Sequence, residues 1–148
     1  MAGFVNTENT AHRPDGIYGE VIAQIKKEGI CPFCPGNLMK HHTNPILAEG
    51  SCWILTKNAF PYENVKHHIL IIHKNHIERI EEVSPEAWIE LKSLIETFSK
   101  ENNIPGGTIV MRFGNTAYTG ATVSHLHANF VSPNGEDENR EPIIARIG

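Results

Sequence analysis

No apolar run in this 148-residue chain approaches the roughly 20 residues that a membrane-crossing helix needs, and the polar first sixteen residues lack the pattern of a signal peptide. Neither a membrane span nor a secretory route is expected, and the cytoplasm is the expected compartment. Cysteine is scarce: three residues, an odd number, cannot build the disulfide framework of a small secreted protein. An excess of positive charge is missing too. Thirteen Lys and Arg against seventeen Asp and Glu give a formal net charge of -4, which offers no general attraction to nucleic acid polymers or anionic membranes, although local donors can still hold a small anion. Internal repeats and low-complexity segments are also lacking. The remaining composition, 40% hydrophobic and 20% charged, is that of a globular protein, and the length suits one domain with its own core.

What is abundant is histidine, with nine residues. Two of them stand in His125-Leu126-His127-Ala128-Asn129, where polar and apolar side chains alternate. Read as a strand, the segment projects His125, His127 and Asn129 from one face and packs Leu126, Ala128 and Phe130 behind them, with the two imidazoles about 7 Å apart.

Residues 1–15 read as a mobile leader and 16–148 as one domain. Ile17, Val21, Ile22 and Ile25 recur at helical spacing over residues 16–28, and Gly29 stops that short helix. Cys31-Pro32-Phe33-Cys34-Pro35-Gly36 is a tight turn, because two prolines and a glycine interrupt regular structure. Residues 41–50 read as a connection, 51–60 and 68–73 as buried strands, and 108–113 and 123–131 as two more. Ser84-Pro85-Glu86 is a helix start with Ser as cap, Pro in the first turn and an acid at the positive dipole end. The long helix that follows carries Trp88, Leu91, Leu94, Ile95 and Phe98 on one stripe and ends near Asn103. Residues 114–120 form a loop, and from about 133 the chain is polar and acidic. Hairpin-length links favour an antiparallel sheet of about five strands with helices on one side, an α+β fold.

Cys31 and Cys34 can direct two thiolates at one tetrahedral ion, and zinc fits better than a redox pair because Pro35-Gly36 opposes the helix that redox motifs usually open. His41, His42, His73, His76, His125 and His127 are the candidates for further ligands, and spacing does not choose among them. Outside a metal site, His41, His42, His67 and His68 read as solvated or loop residues. Cys52 reads as a small buried hydrophobe. Phe60 and Tyr62 could face a purine or the core. A neutral imidazole with one nitrogen held can act as a nucleophile toward phosphorus. The glycines, hydroxyls and amides of residues 114–122 could cradle phosphate oxygens.

The run Gly120-Ala121-Thr122-Val123-Ser124-His125-Leu126-His127-Ala128-Asn129, preceded by Asn115, resembles the signature of the histidine triad family of nucleotide hydrolases and transferases. His68-Ile69-Leu70-Ile71-Ile72-His73-Lys74-Asn75-His76-Ile77 is similar to the strand and turn upstream of it. Cys31-Pro32-Phe33-Cys34 matches the zinc-bearing branch, and Asn58-Ala59-Phe60-Pro61-Tyr62 looks like the nucleoside-binding strand end. The matches run from Ile30 to Pro133, in order.

That resemblance implies that His127 attacks the α-phosphorus of a nucleotide and becomes nucleotidylated. It implies a structural zinc on Cys31, Cys34, His76 and His125, α-phosphate binding by Thr122 with Gly120 and Ala121, a ribose contact from Asn58, and a phosphate or leaving-group contact from Asn115. Two positions depart from the pattern. Asn129 stands where the family usually has a third histidine, and where the branch of galactose-1-phosphate uridylyltransferase has Gln; it can bind a phosphate oxygen but supplies no proton. His73 stands where proline is common. The implied substrates are dinucleoside polyphosphates, nucleoside phosphoramidates or sugar nucleotides, with hydrolysis placed ahead of transfer and a homodimer as the assembly. The competing expectation is a zinc-stabilised nucleotide-binding regulatory module without catalysis.

Overall fold

Between residues 65 and 73 the chain reads Val-Lys-His-His-Ile-Leu-Ile-Ile-His, and the last six positions are all buried, which requires cover on both faces of a strand. The computed structural model, which describes residues 3–11, 13, 16–135 and 138–148, supplies that cover. His12, expected in the leader, lies outside the described residues, as do two positions of the acidic stretch after residue 133.

The sheet comprises β1 (Ile46–Glu49), β2 (Trp53–Lys57), β3 (Val65–His73), β4 (Thr108–Arg112) and β5 (His127–Pro133). Their order is β1-β2-β3-β5-β4, with every pairing antiparallel. Among the described residues four α-helices accompany it: α1 (Gly16–Glu28), α2 (Leu38–His41), α3 (Pro85–Glu101) and α4 (Thr116–Thr119). This is the expected α+β fold with five antiparallel strands, one long helix and a short N-terminal one.

One face of the sheet presents Trp53, Leu55, Ile69, Ile71, Ala128 and Phe130 to Ala87 and Leu91 of α3. α3 starts as its sequence dictates, with the Ser84 hydroxyl accepting the Ala87 N–H at 3.1 Å and Pro85 in the first turn. Two polar ties lock it to the sheet. The Trp53 indole donates to the Ala87 carbonyl at 2.7 Å, and the Glu90 carboxylate accepts the backbone N–H groups of Ser51, Cys52 and Trp53 at 2.6–2.8 Å. Gly50 leaves room beside them, since a Cβ there would lie 2.4 Å from the Glu90 carboxylate and displace it. Trp88 departs from its expected core place. Ala87 and Leu91 fill the contact instead, and Trp88 is 40% exposed.

The other face carries Ile54, Leu70 and Ile72 with Leu38. α1 stands over this face with a cavity between, so the helices flank the sheet on both sides and not on one. Of the expected α1 stripe, Ile22 and Ile25 are buried and Ile17 is exposed.

Three boundaries differ from expectation. Residues 41–50 contain β1, an edge strand paired only to β2 and largely exposed, so it lacks the buried apolar pattern that marks a strand in sequence. β5 begins at His127, not at residue 123, and runs on to Pro133. The expected loop at 114–120 holds α4, capped by Asn115, whose side chain accepts the Ala117 N–H at 2.9 Å, and closed by Gly120 at φ 79°.

The segment expected as a free leader is tied to the domain over its described residues. Val5 is buried and bridges Val123, the Asn6 N–H donates to the Thr122 carbonyl at 2.7 Å, and the Asn9 amide donates to the Ala121 carbonyl at 2.6 Å. The C-terminal segment is held as well. Asn64 donates to the Pro142 carbonyl at 3.3 Å, Arg112 to the Arg146 carbonyl, and the Gly148 N–H to the Thr119 carbonyl at 3.0 Å.

Candidate metal centre and active site

Cys31, Cys34, His76 and His125 converge from the 31–36 turn, the loop after β3 and the approach to β5, with their ligand atoms all within 4.8 Å of one another. His125 Nδ1 lies 3.4 Å from Cys31 Sγ and 3.7 Å from Cys34 Sγ, and His76 Nδ1 lies 3.5 Å from Cys34 Sγ. Around a tetrahedral zinc, Zn–S of about 2.3 Å and Zn–N of about 2.0–2.1 Å place neighbouring ligand atoms about 3.5 Å apart. The donor set therefore fits zinc.

The outer nitrogens agree with that fit. His125 Nε2–H donates to the His73 carbonyl and His76 Nε2 meets the Glu78 carboxylate at 3.0 Å, so both rings are turned to offer Nδ1 inward. Burial holds His125 down to about 4, which keeps it in the neutral form a ligand requires. Burial pushes the Cys31 thiol up to about 12, so zinc binding there would displace a proton from it. His73 is buried against Trp53, with ring centroids 4.8 Å apart, and stands outside the cluster.

Two residues after His125, the strand alternation turns the next imidazole to the cavity. His127 Nδ1 is 2.7 Å from the His125 carbonyl, which assigns the proton to Nδ1 and leaves the Nε2 lone pair unshared. Phe33, from the middle of the cysteine turn, packs edge-on against the same ring at 5.0 Å. Burial, with the Arg112 charge adding to it, lowers His127 to about 4. At neutral pH it is an uncharged imidazole with one free nitrogen.

The cavity measures about 630 Å³. Its floor is Leu70, His127 and Asn129, its apolar wall is Val21, Ile22, Ile25, Phe33 and Leu38, and its rim includes Gly120, Ala121 and Thr122. Asn58, Phe60 and Tyr62 line it too, so the two aromatic residues face the cavity. Asn58 Oδ1 accepts the Phe60 N–H at 2.8 Å, and its amide leans toward Asn129 Oδ1 at 3.4 Å. Asn115 is the one expected binding residue outside the wall; it caps α4 and is exposed.

Several residues in or beside the cavity were not expected there. His68 is buried, not solvated: Tyr62 N–H donates to its Nδ1 at 3.0 Å, so its Nε2–H donates to Asn129 Oδ1 at 2.8 Å, and the Tyr62 ring lies 4.4 Å away. His42 is buried as well and bonds the Thr56 hydroxyl at 2.8 Å. Arg112 pairs with His127 in the β4–β5 register and lines the cavity with Arg13. Nothing local in the sequence marks these residues, because each acquires its place from a partner distant in the chain.

No family model matches the chain, and no curated protein matches it by sequence. Solved structures do. A HIT family hydrolase from Clostridium thermocellum is 22% identical with a TM-score of 0.55, over 74% of this chain and 92% of that one. A zinc-bound histidine triad family protein from Mycobacterium smegmatis is 22% identical with a TM-score of 0.53, over 76% and 83%. A histidine triad nucleotide-binding protein from Candida albicans is 20% identical with a TM-score of 0.56, over 79% and 86%. The chain has the fold of the histidine triad proteins.

Proposed function

We propose that the protein is a nucleotide hydrolase or nucleotidyltransferase that works through a nucleotidyl-histidine on His127. The observation that carries this reading is the tautomer of His127: Nδ1–H is engaged by the His125 carbonyl, and Nε2 opens on a cavity whose rim is Gly120-Ala121-Thr122. In the first step Nε2 forms a bond to the α-phosphorus while the bond to the leaving group breaks, and the leaving group keeps the electron pair. In the second, water or another acceptor attacks phosphorus, loses its proton, and returns the pair to Nε2. Arg112 stabilises charge on the phosphoryl oxygens, as do the donors around Thr122.

Asn129 presents Oδ1 to His68 and Asn58, which leaves its Nδ2–H2 as a donor for a phosphate oxygen and not as an acid. Substrates whose leaving group needs no proton are therefore favoured, and phosphoanhydrides such as dinucleoside polyphosphates and sugar nucleotides come ahead of phosphoramidates. Zinc on Cys31, Cys34, His76 and His125 would be structural, fixing the turn that sets Phe33 against His127. Exposed Trp88 and Ile89 on α3 and Ile109 on β4 support a homodimer, which sedimentation of the wild type and of Trp88→Glu tests.

The decisive experiment incubates the protein with radiolabelled dinucleoside polyphosphate or sugar nucleotide and quenches in base. Label on the wild type and none on His127→Asn is expected. Absence of both label and turnover across a nucleotide panel overturns the reading, and binding without turnover would indicate the regulatory alternative.

A further inference from the structure

The Arg13 guanidinium lies over two aromatic rings of the cavity wall, 4.9 Å from the Tyr18 centroid and 5.3 Å from that of Tyr62. One terminal nitrogen donates to the Phe60 carbonyl, but Nε is buried with no hydrogen-bond partner. A buried guanidinium donor without an acceptor is costly, and its charge calls for an anion. Among the described residues no carboxylate lies within ion-pair distance of Arg13. Glu63, the one acid of the cavity wall among the described residues, forms no ion pair with Arg13 or Arg112.

Arg112 repeats the pattern elsewhere in the same cavity. Its Nε is also buried and unpartnered, and it stands opposite His127 in the sheet. The two arginines occupy different surroundings. Arg112 belongs with the nucleophile, whereas Arg13 groups with Phe60, Tyr62 and Tyr18 at the end of β2 beyond Asn58 and His68. The Tyr62 ring under Arg13 packs 4.4 Å from the His68 ring, and His68 bonds Asn129, so the Arg13 group lies toward the Asn129 end of the cavity floor, whereas Arg112 pairs with His127, about 7 Å further along the strand. Contact with two aromatic rings and the bond to the Phe60 carbonyl restrain the guanidinium's orientation, as recognition of a planar or bidentate oxyanion requires.

We propose that Arg13, framed by Tyr18 and Tyr62, is a second anion subsite, and that it selects nucleotides bearing a phosphate-type group in addition to the one presented to His127. This rests on the nucleotide reading of the cavity. The second group could be carried on the ribose or further along a polyphosphate chain, and both present the same oxyanion to Arg13.

Calorimetric titration of the zinc-loaded protein tests this with the four ribonucleoside 5′-monophosphates, the matching 5′-diphosphates and the matching 3′,5′-bisphosphates. The wild type is expected to bind one of the two doubly phosphorylated series roughly tenfold or more tightly than the monophosphates, and the arm that gains identifies where the second group sits. In Arg13→Gln that preference collapses to within about twofold while monophosphate binding persists, and Arg13→Lys keeps part of it. Equal affinity across all three series in the wild type, or a preference that survives Arg13→Gln, overturns the subsite. Binding of none of the nucleotides, with no label on His127, would instead overturn the function on which it rests.

Discussion

His68 and Asn129 face each other between β3 and β5, with Nε2 2.8 Å from Oδ1, and the Tyr62 N–H on Nδ1 leaves that nitrogen no proton of its own. The pair orients the Asn129 amide, because an acceptor toward His68 means a donor toward the cavity. Removing either partner strands a buried polar group. Asn129→Ala and His68→Ala are each expected to cost about 1–3 kcal/mol in denaturant unfolding. The double variant should lose clearly less than the two together, since each single change already breaks the same bond. Strict additivity would mean that the pair does not act as a unit.

The acid side of the stability profile follows from the buried histidines. Burial holds His42 and His68 below the ordinary histidine value near 6.5 in the native protein. As pH falls through 6.5 the unfolded chain takes up protons that the native state refuses, so stability is full above that pH and declines below it. Melting temperature should be flat from about pH 7 to 8 and fall below about pH 6.5, with a shallower fall in His42→Gln, whose amide can still donate to Thr56.

Metal analysis should return about one zinc per chain, lost in Cys31→Ser. Glu78→Ala removes only the carboxylate behind His76 and should weaken zinc binding about 10- to 100-fold in a chelator competition without abolishing it. Unchanged affinity in Glu78→Ala would mean that Glu78 does not orient His76 for the ion.

Glu90 is expected to matter for stability and not for chemistry. Its carboxylate gathers the backbone N–H groups of Ser51 and Cys52 in the β1–β2 turn and of Trp53 at the start of β2. Glu90→Ala should destabilise by about 2–3 kcal/mol in denaturant melts, with the metal content unaltered.

The two longer helices and the cysteine turn are legible in the chain because their signals are local: Ser84-Pro85 opens α3, Gly29 closes α1, and two prolines bend residues 31–36, whereas the four-residue helices α2 and α4 are too short to show a period. The alternation in His125–Asn129 correctly separated a polar from an apolar face. It did not locate the strand's beginning. The Leu126 N–H turns to the Ile77 carbonyl, which carries His125 toward the cysteines before the β5 ladder starts. His68 reads as solvated because the pair His67-His68 near a strand's start carries no sign of a partner 61 residues away. Arg13 and Arg112 were missed for the same reason, as was β1, whose exposed edge position leaves no apolar periodicity to read.

Both ends of the described chain are tied to one short stretch: Phe4 and Asn6 to Ser124 and Thr122, Asn9 to Thr116 and Ala121, and Gly148 to Thr119. That stretch is also the rim of the cavity. Opening it must release the two terminal segments together, which makes all three a single cooperative unit with its own local unfolding free energy. A ligand that braces the rim therefore slows amide exchange at residues 4–8 and 147–148, which lie outside the cavity wall, and those amides become remote reporters of an occupied cavity.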